Sequence, residues 1–155
     1  MAAELDTYNL PDTAIPVGST ISSVKVSAWC GIGEYILQPG WIANPNGYFR
    51  IAIRTHSAVY YGATHNKIVD WYVLIEDTWA TNPNTGLAWT IAELNALEIG
   101  VELRSTTFTK IGIVKAIHPA FCTQVYATIT YTEPVAGKGM INKFNRTTTS
   151  PRREL

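Results

Sequence analysis

The chain has 155 residues, which is enough for one domain with a core of its own. Only 15% of the residues are charged and the formal net charge is zero, whereas soluble domains carry roughly 25% charged residues. A neutral body does not attract polyanions over long distances, so we do not expect nucleic acid as its main partner. No apolar run approaches the ~20 residues of a membrane span. The first residues also lack the features of a secretory signal, so we expect synthesis in the cytoplasm without a signal peptide.

The two ends of the sequence differ from its middle. Residues 1–19 are acidic and contain Pro11 and Pro16, which exclude a continuous helix, so they are predicted to form an extended N-terminal arm. Residues 20–133 are predicted to form the body, and residues 134–155 a basic C-terminal arm. Each arm is either a solvated tail or a contact to a neighbouring subunit, and nucleic-acid contact by the basic tail is a lesser alternative. The arm residues predicted to contact other subunits are Leu5, Tyr8, Leu10, Met140, Ile141, Phe144, Arg146, Arg152 and Arg153.

Alternation of polar and apolar residues predicts several strands in the first half of the body. Within one of them, Phe49, Ile51 and Ile53 are expected to face inward, and Arg50 and Arg54 outward. A dense run of β-branched and aromatic residues predicts a further, interior strand. These strands are predicted over Ile21–Cys30, Tyr48–Thr55, Val59–Ala63 and Ile68–Glu76.

A rigid corner is predicted in the middle of the chain. Proline and glycine in the segment 82–86 are typical of a tight turn, and Gly86 can close it with positive φ. Thr90 and Glu93 have the spacing of a capping box, which predicts a short helix from Ile91 to about Leu97. The residues expected to build this corner are Trp79, Asn82, Pro83, Gly86, Trp89, Thr90 and Glu93.

Alternation continues after the predicted helix. It predicts strands over Ile99–Leu103, Phe108–Ile117 and Cys122–Tyr131. About eight short strands, separated by frequent turn signals and accompanied by one short helix, favour an all-β sandwich or barrel.

The residues that could carry catalysis are scattered. The three histidines, His56, His65 and His118, have no metal-ligand spacing. Glu98 and Glu102 are expected on the outer face of a strand, where solvated carboxylates are far commoner than a glycosidase pair. We therefore expect no enzyme and no cofactor.

The two cysteines are Cys30 and Cys122, and both fall within predicted strands. Their spacing fits neither a zinc site nor a redox motif, so they are predicted to be buried thiols, with a disulfide as the alternative.

Aromatic residues offer one possible binding surface. Stacked rings in a sandwich can hold sugars, but the same rings can instead fill the core and the subunit contacts. The candidates for glycan stacking are Trp29, Tyr35, Trp41, Tyr60 and Tyr61, and Trp71 is a further ring of this kind.

Two blocks of the sequence resemble a known group of proteins. The first runs from Trp79 through Asn82-Pro83, Gly86 and Trp89-Thr90, and the second is the segment 122–126, Cys-Thr-Gln-Val-Tyr. Over about residues 11–132 the chain is similar to small jelly-roll or concanavalin-like structural proteins of tailed phages and related viral genomes.

This resemblance implies an antiparallel jelly-roll-like β-sandwich with a role in the virion, most of all as a capsid decoration or cement protein. The expected partners are other copies of the chain, by analogy as a trimer, and virion proteins such as a major capsid protein. The alternative is a glycan-binding module of a phage tail or fibre, with a host-surface glycan as ligand. The resemblance does not distinguish a capsid from a tail location.

Overall fold

The computed structural model describes residues 3–12, 14–32, 42–44, 47–66, 72–110, 113–134 and 141–148. Within these residues the chain forms eleven strands and one short helix. In chain order they are β1 (Glu4–Asn9), β2 (Thr20–Ile32), β3 (Ile42–Asn44), β4 (Tyr48–Thr55), β5 (Ala58–Tyr61), β6 (Val73–Trp79), α1 (Ile91–Asn95), β7 (Glu98–Arg104), β8 (Thr106–Lys110), β9 (Ile113–His118), β10 (Ala120–Thr132) and β11 (Ile141–Thr148).

The described strands form three antiparallel sheets. Sheet A has the order β1-β7-β4-β5, sheet B the order β11-β10-β2-β6, and sheet C the order β3-β8-β9. The inward faces of sheets A and B contribute to one hydrophobic core. The predicted all-β, antiparallel, sandwich-like class with one short helix is therefore confirmed at this level.

Period-two alternation explains which side chains build this core. In β4, Phe49, Ile51 and Ile53 are completely buried, as predicted. In sheet B, the residues on the inward face of β2 and of β10 are also buried. These residues are Val24, Val26, Ala28 and Cys30 on β2, and Val125, Ala127, Ile129 and Tyr131 on β10.

The corner before α1 has the predicted chemistry. The Gly86 amide donates to the Asn82 carbonyl over 2.8 Å, and Gly86 has a φ of +71°. The capping box is confirmed, because the Thr90 hydroxyl accepts from the Glu93 amide and the Glu93 carboxylate accepts from the Thr90 amide. The helix ends at Asn95, before the predicted Leu97, which is buried in the core.

The single strand predicted over Phe108–Ile117 is wrong. The segment contains two strands, β8 and β9, which pair with each other so that Lys110 lies opposite Ile113. β9 therefore runs antiparallel to β8, and the sequence between the two strands contains Gly112, a residue type typical of hairpin connections. Apolar residues on both sides of this glycine made the segment resemble one continuous strand.

Each of the two terminal segments, predicted as an arm, contributes a strand to one of the sheets. β1 pairs with β7 along the edge of sheet A, and the residues that follow place Leu10 and Ile15 in the core. β11 pairs with β10 along the edge of sheet B. Each terminal strand satisfies backbone groups that would otherwise form an open sheet edge.

Candidate functional site

The outer face of sheet A collects charged and aromatic side chains. Alternation turns them away from the core, and the register of β4 with β7 then pairs them across the sheet. Arg50 lies opposite Glu102, and Arg54 lies opposite Glu98. The outward direction predicted for these residues is confirmed. We call this surface the polar face.

Arg50 and Glu102 form the centre of the polar face. The Arg50 Nε donates to a Glu102 carboxylate oxygen over 2.5 Å, and the Tyr48 hydroxyl donates to the same oxygen over 2.9 Å. The Arg50 guanidinium also lies 3.7 Å from the centroid of the Tyr61 ring, within the range of a cation–π contact. We call Tyr48, Arg50, Tyr61 and Glu102 the Arg50 cluster.

Glu102 is charged although its residue is only 7% exposed. Burial by itself would raise the pKa of this carboxyl, but the hydrogen bonds from Arg50 and Tyr48 outweigh burial and hold the pKa below its ordinary value. Arg104, on the same face, has a buried Nε without a hydrogen-bond partner among the described residues. This end of the polar face therefore has an unused N–H donor.

A cavity of about 450 Å³ lies at the other end of the polar face, beside the turn between β4 and β5. His56 and Ser57 form this turn with φ values of +50° and +63°, a conformation that favours glycine or asparagine. The Arg54 Nη1 lies 3.2 Å from a Glu98 carboxylate oxygen in the cavity wall. The lining residues are Arg54, His56, Ser57, Val59, Ala96 and Glu98.

Glu93 connects the helix to this turn. One of its carboxylate oxygens lies 2.9 Å from His56 Nε2, and the other accepts from Thr90 in the capping box. Burial would raise the pKa of Glu93, but the hydrogen bonds from His56 and Thr90 outweigh it and leave the pKa lowered. The sequence predicted the capping role, but not the contact with His56, which lies 37 positions away.

The polar face offers donors, acceptors and aromatic rings close to a cavity. Arginine and carboxylate side chains can hydrogen-bond to hydroxyl-rich or carboxylate-bearing ligands, and tyrosine rings can stack on sugars. The arrangement can therefore hold a polar ligand.

The outer face of sheet B is apolar at one end. Trp29 and Leu74 are register partners there and are 38% and 37% exposed. Phe121 packs over Gly31, where a Cβ atom would lie 2.8 Å from the phenyl ring. The ring of Tyr72, which is 46% exposed, meets Phe121 edge to face at 5.0 Å. We call Trp29, Tyr72, Leu74 and Phe121 the aromatic patch.

Polar residues border the aromatic patch along β2 and β6. The Lys25 ammonium donates to Glu76 over 2.8 Å, and the Ser27 hydroxyl donates to the same oxygen over 2.8 Å. The hydrogen bonds from Lys25 and Ser27 hold the pKa of Glu76 below its ordinary value. An apolar patch with a satisfied polar border is typical of a surface that contacts another protein.

The residues predicted to build the corner lie together around the turn. Asn82 is completely buried, and its side chain donates to the Thr55 hydroxyl over 3.1 Å. The Trp89 indole donates to the Trp79 carbonyl over 3.1 Å. Pro83 and Gly86 lie in the turn itself. These contacts stabilise a corner of the fold.

The predicted glycan-stacking residues do not share one surface. Trp29 lies on the aromatic patch of sheet B, whereas Tyr61 lies in the Arg50 cluster of sheet A. Tyr60 packs against the core, and its hydroxyl accepts from Asn84 over 2.8 Å. The predicted residues Tyr35, Trp41 and Trp71 lie outside the described residues.

The predicted subunit-contact residues are distributed differently at the two ends. Leu5 and Tyr8 lie on β1, and Leu10 is only 4% exposed because it packs in the core of its own chain. At the other end, three of the predicted residues lie on β11 and three lie outside the described residues. Those on β11 are Ile141, Phe144 and Arg146, and those outside are Met140, Arg152 and Arg153.

In the described parts of the chain, no three histidine, cysteine, aspartate or glutamate side chains are grouped to hold a metal ion. A helix long and apolar enough to cross a membrane is likewise missing from those parts. Comparison with protein-family models, curated proteins and solved structures gives no match for this chain. The similarity to phage structural proteins therefore stays a prediction from the sequence.

Proposed function

We propose that this chain is a virion structural protein with a jelly-roll-like body, and more specifically a capsid decoration or cement protein. The observation that carries the proposal is the aromatic patch on the outer face of sheet B, where three large side chains are 37–46% exposed. An apolar surface of this kind gains free energy when a neighbouring subunit covers it, at about 25 cal/mol per Å². The sequence resemblance supplies the viral context.

The proposed mechanism is mechanical. The sandwich-like body acts as a rigid block, the aromatic patch contacts a neighbouring subunit, and the basic C-terminal residues add contacts beyond the sheet. Exposed ion pairs contribute little, about 0.2–1 kcal/mol each, so most of the affinity would come from apolar burial. Repetition over a closed lattice then combines weak contacts into a stable shell. The neighbours would be copies of this chain, by analogy in a trimer, or a major capsid protein.

The role of the aromatic patch can be tested by changing Trp29 and Leu74 together to serine. We expect the wild-type chain to gain mass with concentration in sedimentation velocity, and the double variant to remain monomeric. Tyr61→Ser is the matched control, because it removes an aromatic ring of similar exposure from the polar face. Equal association of the double variant and the wild type would contradict the patch as the contact surface.

The location in a virion requires a separate measurement. Particles of the virus that encodes this chain can be purified on density gradients and examined by quantitative mass spectrometry. A decoration protein is expected in a fixed ratio to the major capsid protein, and Trp29→Ser/Leu74→Ser should lower that ratio. Absence of the chain from intact particles would exclude the proposal.

The alternative function is glycan binding at a tail or fibre, and the polar face favours it. Its cavity and its Arg50 cluster lie on one sheet, and both contain polar side chains suited to sugars. A glycan array should then give saturable binding that Arg54→Ala lowers at least tenfold. Lys25→Ala, an exposed cation on sheet B, should leave binding unchanged. An array without any binding would remove this alternative.

A further inference from the structure

Two cysteines that are distant in the sequence meet in the centre of sheet B. Cys30 lies on β2 and Cys122 on β10, and the register places them as direct partners. Both strands have 13 residues and lie in the interior of the sheet. Both side chains are free thiols and are buried in the core.

The geometry of an antiparallel pair is close to that of a disulfide. Directly opposite residues have Cβ atoms about 4.5–5.5 Å apart, and a disulfide needs about 3.5–4.5 Å. The ladder between β2 and β10 also shifts register between Cys122 and Gln124, and such an irregularity locally disrupts the ladder and bends the strand next to Cys122. The register already places the two buried thiols opposite each other, so we expect a bond between them to require only a small movement.

We propose that Cys30 and Cys122 are a site of thiol–disulfide exchange, at which a low-molecular-weight disulfide such as oxidised glutathione closes a cross-strand disulfide in sheet B. In the first step the Cys122 thiolate attacks one sulfur of glutathione disulfide, forms a mixed disulfide and releases one glutathione. In the second step Cys30 loses its proton, and its sulfur attacks the Cys122 sulfur and releases the second glutathione. Two protein thiols are oxidised, and one small disulfide is reduced to two thiols.

The structure indicates why Cys122 reacts first. It is 6% exposed, whereas Cys30 is completely buried. The thiolate form is the nucleophile, so the more accessible cysteine is the one that attacks the oxidant.

A bond at this position would connect segments that lie far apart along the chain. Such a cross-link reduces the conformational freedom of the unfolded chain, which by the chain-entropy model raises the melting temperature of a domain of this size by about 10 °C. The reduced state suits synthesis in a reducing cytoplasm, and the oxidised state suits a protein that works outside it. The inference does not depend on the proposed virion role.

The test uses the full chain, purified in the reduced form and kept folded. It is incubated with oxidised glutathione, quenched in acid, alkylated and measured by intact mass, with circular dichroism to verify the fold. We expect the wild type to lose two hydrogen atoms, to resist alkylation and to give a cross-linked peptide joining Cys30 to Cys122. A folded wild type that keeps two alkylatable thiols would overturn the inference, and so would separate glutathione adducts on the two cysteines.

Single variants test the order of the two steps. Cys30→Ser retains Cys122 and should stop at the mixed disulfide, seen as one glutathione adduct. Cys122→Ser retains only the buried Cys30 and should react at least tenfold more slowly. An adduct that forms faster on Cys30 than on Cys122 would overturn the assigned order, and the wild-type mass measurement tests the disulfide even if a variant does not fold.

Discussion

Glu102 is a residue whose charge depends on its surroundings, because it is buried and accepts hydrogen bonds from Arg50 and Tyr48. Its pKa is lower in the folded chain than in the unfolded chain, where a glutamate titrates near 4.3. The resulting stabilisation is present above the unfolded pKa and is lost as the pH falls through the folded pKa. Glu102→Gln should therefore lower the free energy of unfolding by about 1–3 kcal/mol at pH 7. Urea denaturation should show a smaller difference at pH 3.

Glu76 provides the control for this prediction. It forms a similar pair with Lys25, but both side chains are 39% exposed. Water screens such a pair, so Glu76→Gln should lower the free energy of unfolding at pH 7 by less than about 1 kcal/mol. Equal losses for the two variants would mean that burial does not strengthen the Arg50 cluster.

Asn82 is a polar residue on which the corner depends. Its side chain is completely buried, donates to Thr55 and accepts from the Asn84 amide over 2.9 Å. Asn82→Ala removes both bonds and leaves the buried Thr55 hydroxyl without this donor, so we expect the free energy of unfolding to fall by about 2–3 kcal/mol in thermal or urea unfolding. Asn84→Ala removes an exposed side-chain bond to Tyr60 and should cost less than half as much. The reverse order would show that the corner does not depend on Asn82.

At the scale of elements, β1 depends on a glycine of its neighbour. A Cβ atom at Gly100 would lie 1.8 Å from the Asp6 carbonyl oxygen, so β1 cannot pair with β7 in its present position if a side chain is present. We expect Gly100→Ala to displace β1. Hydrogen–deuterium exchange should then show faster exchange of the amides in Glu4–Asn9, while β10 stays protected.

Gly86→Ala is the matched glycine control. A Cβ atom at Gly86 would meet no neighbouring atom, but the residue has a positive φ of +71°. Alanine there should therefore lower the free energy of unfolding by about 1–2 kcal/mol through backbone strain alone. It should leave the exchange of β1 unchanged. Faster exchange of β1 in both variants would mean that β1 responds to general destabilisation and not to the contact at Gly100.

The elements that the sequence could predict are those with one clearly buried face. β2, β4, β7 and β10 alternate strongly because their inward residues fill the core, and α1 begins at a capping box that depends only on neighbouring residues. β1 and β11 could not be found in this way. Both are edge strands rich in polar residues, and their positions depend on pairing with β7 and β10 rather than on a hydrophobic pattern.

In the candidate site, too, features set by nearby residues could be predicted and features set by strand pairing could not. Alternation correctly directed Arg50 and Arg54 outward, since it depends only on nearby residues. The partners of these arginines could not be predicted, because they depend on the register between β4 and β7. The contact between His56 and Glu93 similarly requires the turn after β4 to meet the start of α1. Long-range register is set by the packed core, and no local pattern contains it.

On the scale of the whole molecule, the two sheets present different outer surfaces. The polar face of sheet A has a cavity and a buried N–H donor without a partner among the described residues, whereas sheet B exposes the aromatic patch. A protein that binds its neighbours through one sheet would leave the other sheet free. The two proposed functions are therefore compatible with one molecule, in which sheet B contacts the lattice and sheet A faces outward.

The C-terminal segment allows the contributions of fold and assembly to be separated. Deleting residues 134–155 removes β11 and exposes the edge of β10, whose unpaired backbone can then pair with other chains. We expect this variant to melt at a lower temperature and to form irregular aggregates. Deleting residues 149–155 retains β11 and removes only the last residues, including Arg152 and Arg153.

This shorter deletion is the decisive one for the proposed basic contact. If the basic residues contact neighbouring subunits, it should keep the melting temperature of the wild type and weaken the association measured by sedimentation. The difference in association between the deletion and the wild type should be greater at 50 mM than at 500 mM salt. At 500 mM the salt already screens the charge contacts of the wild type, so removing the basic residues changes less. Unchanged association at both salt concentrations would show that the C-terminal segment contributes only the edge strand β11 and no subunit contact. The aromatic patch would then be the remaining candidate for the subunit contact.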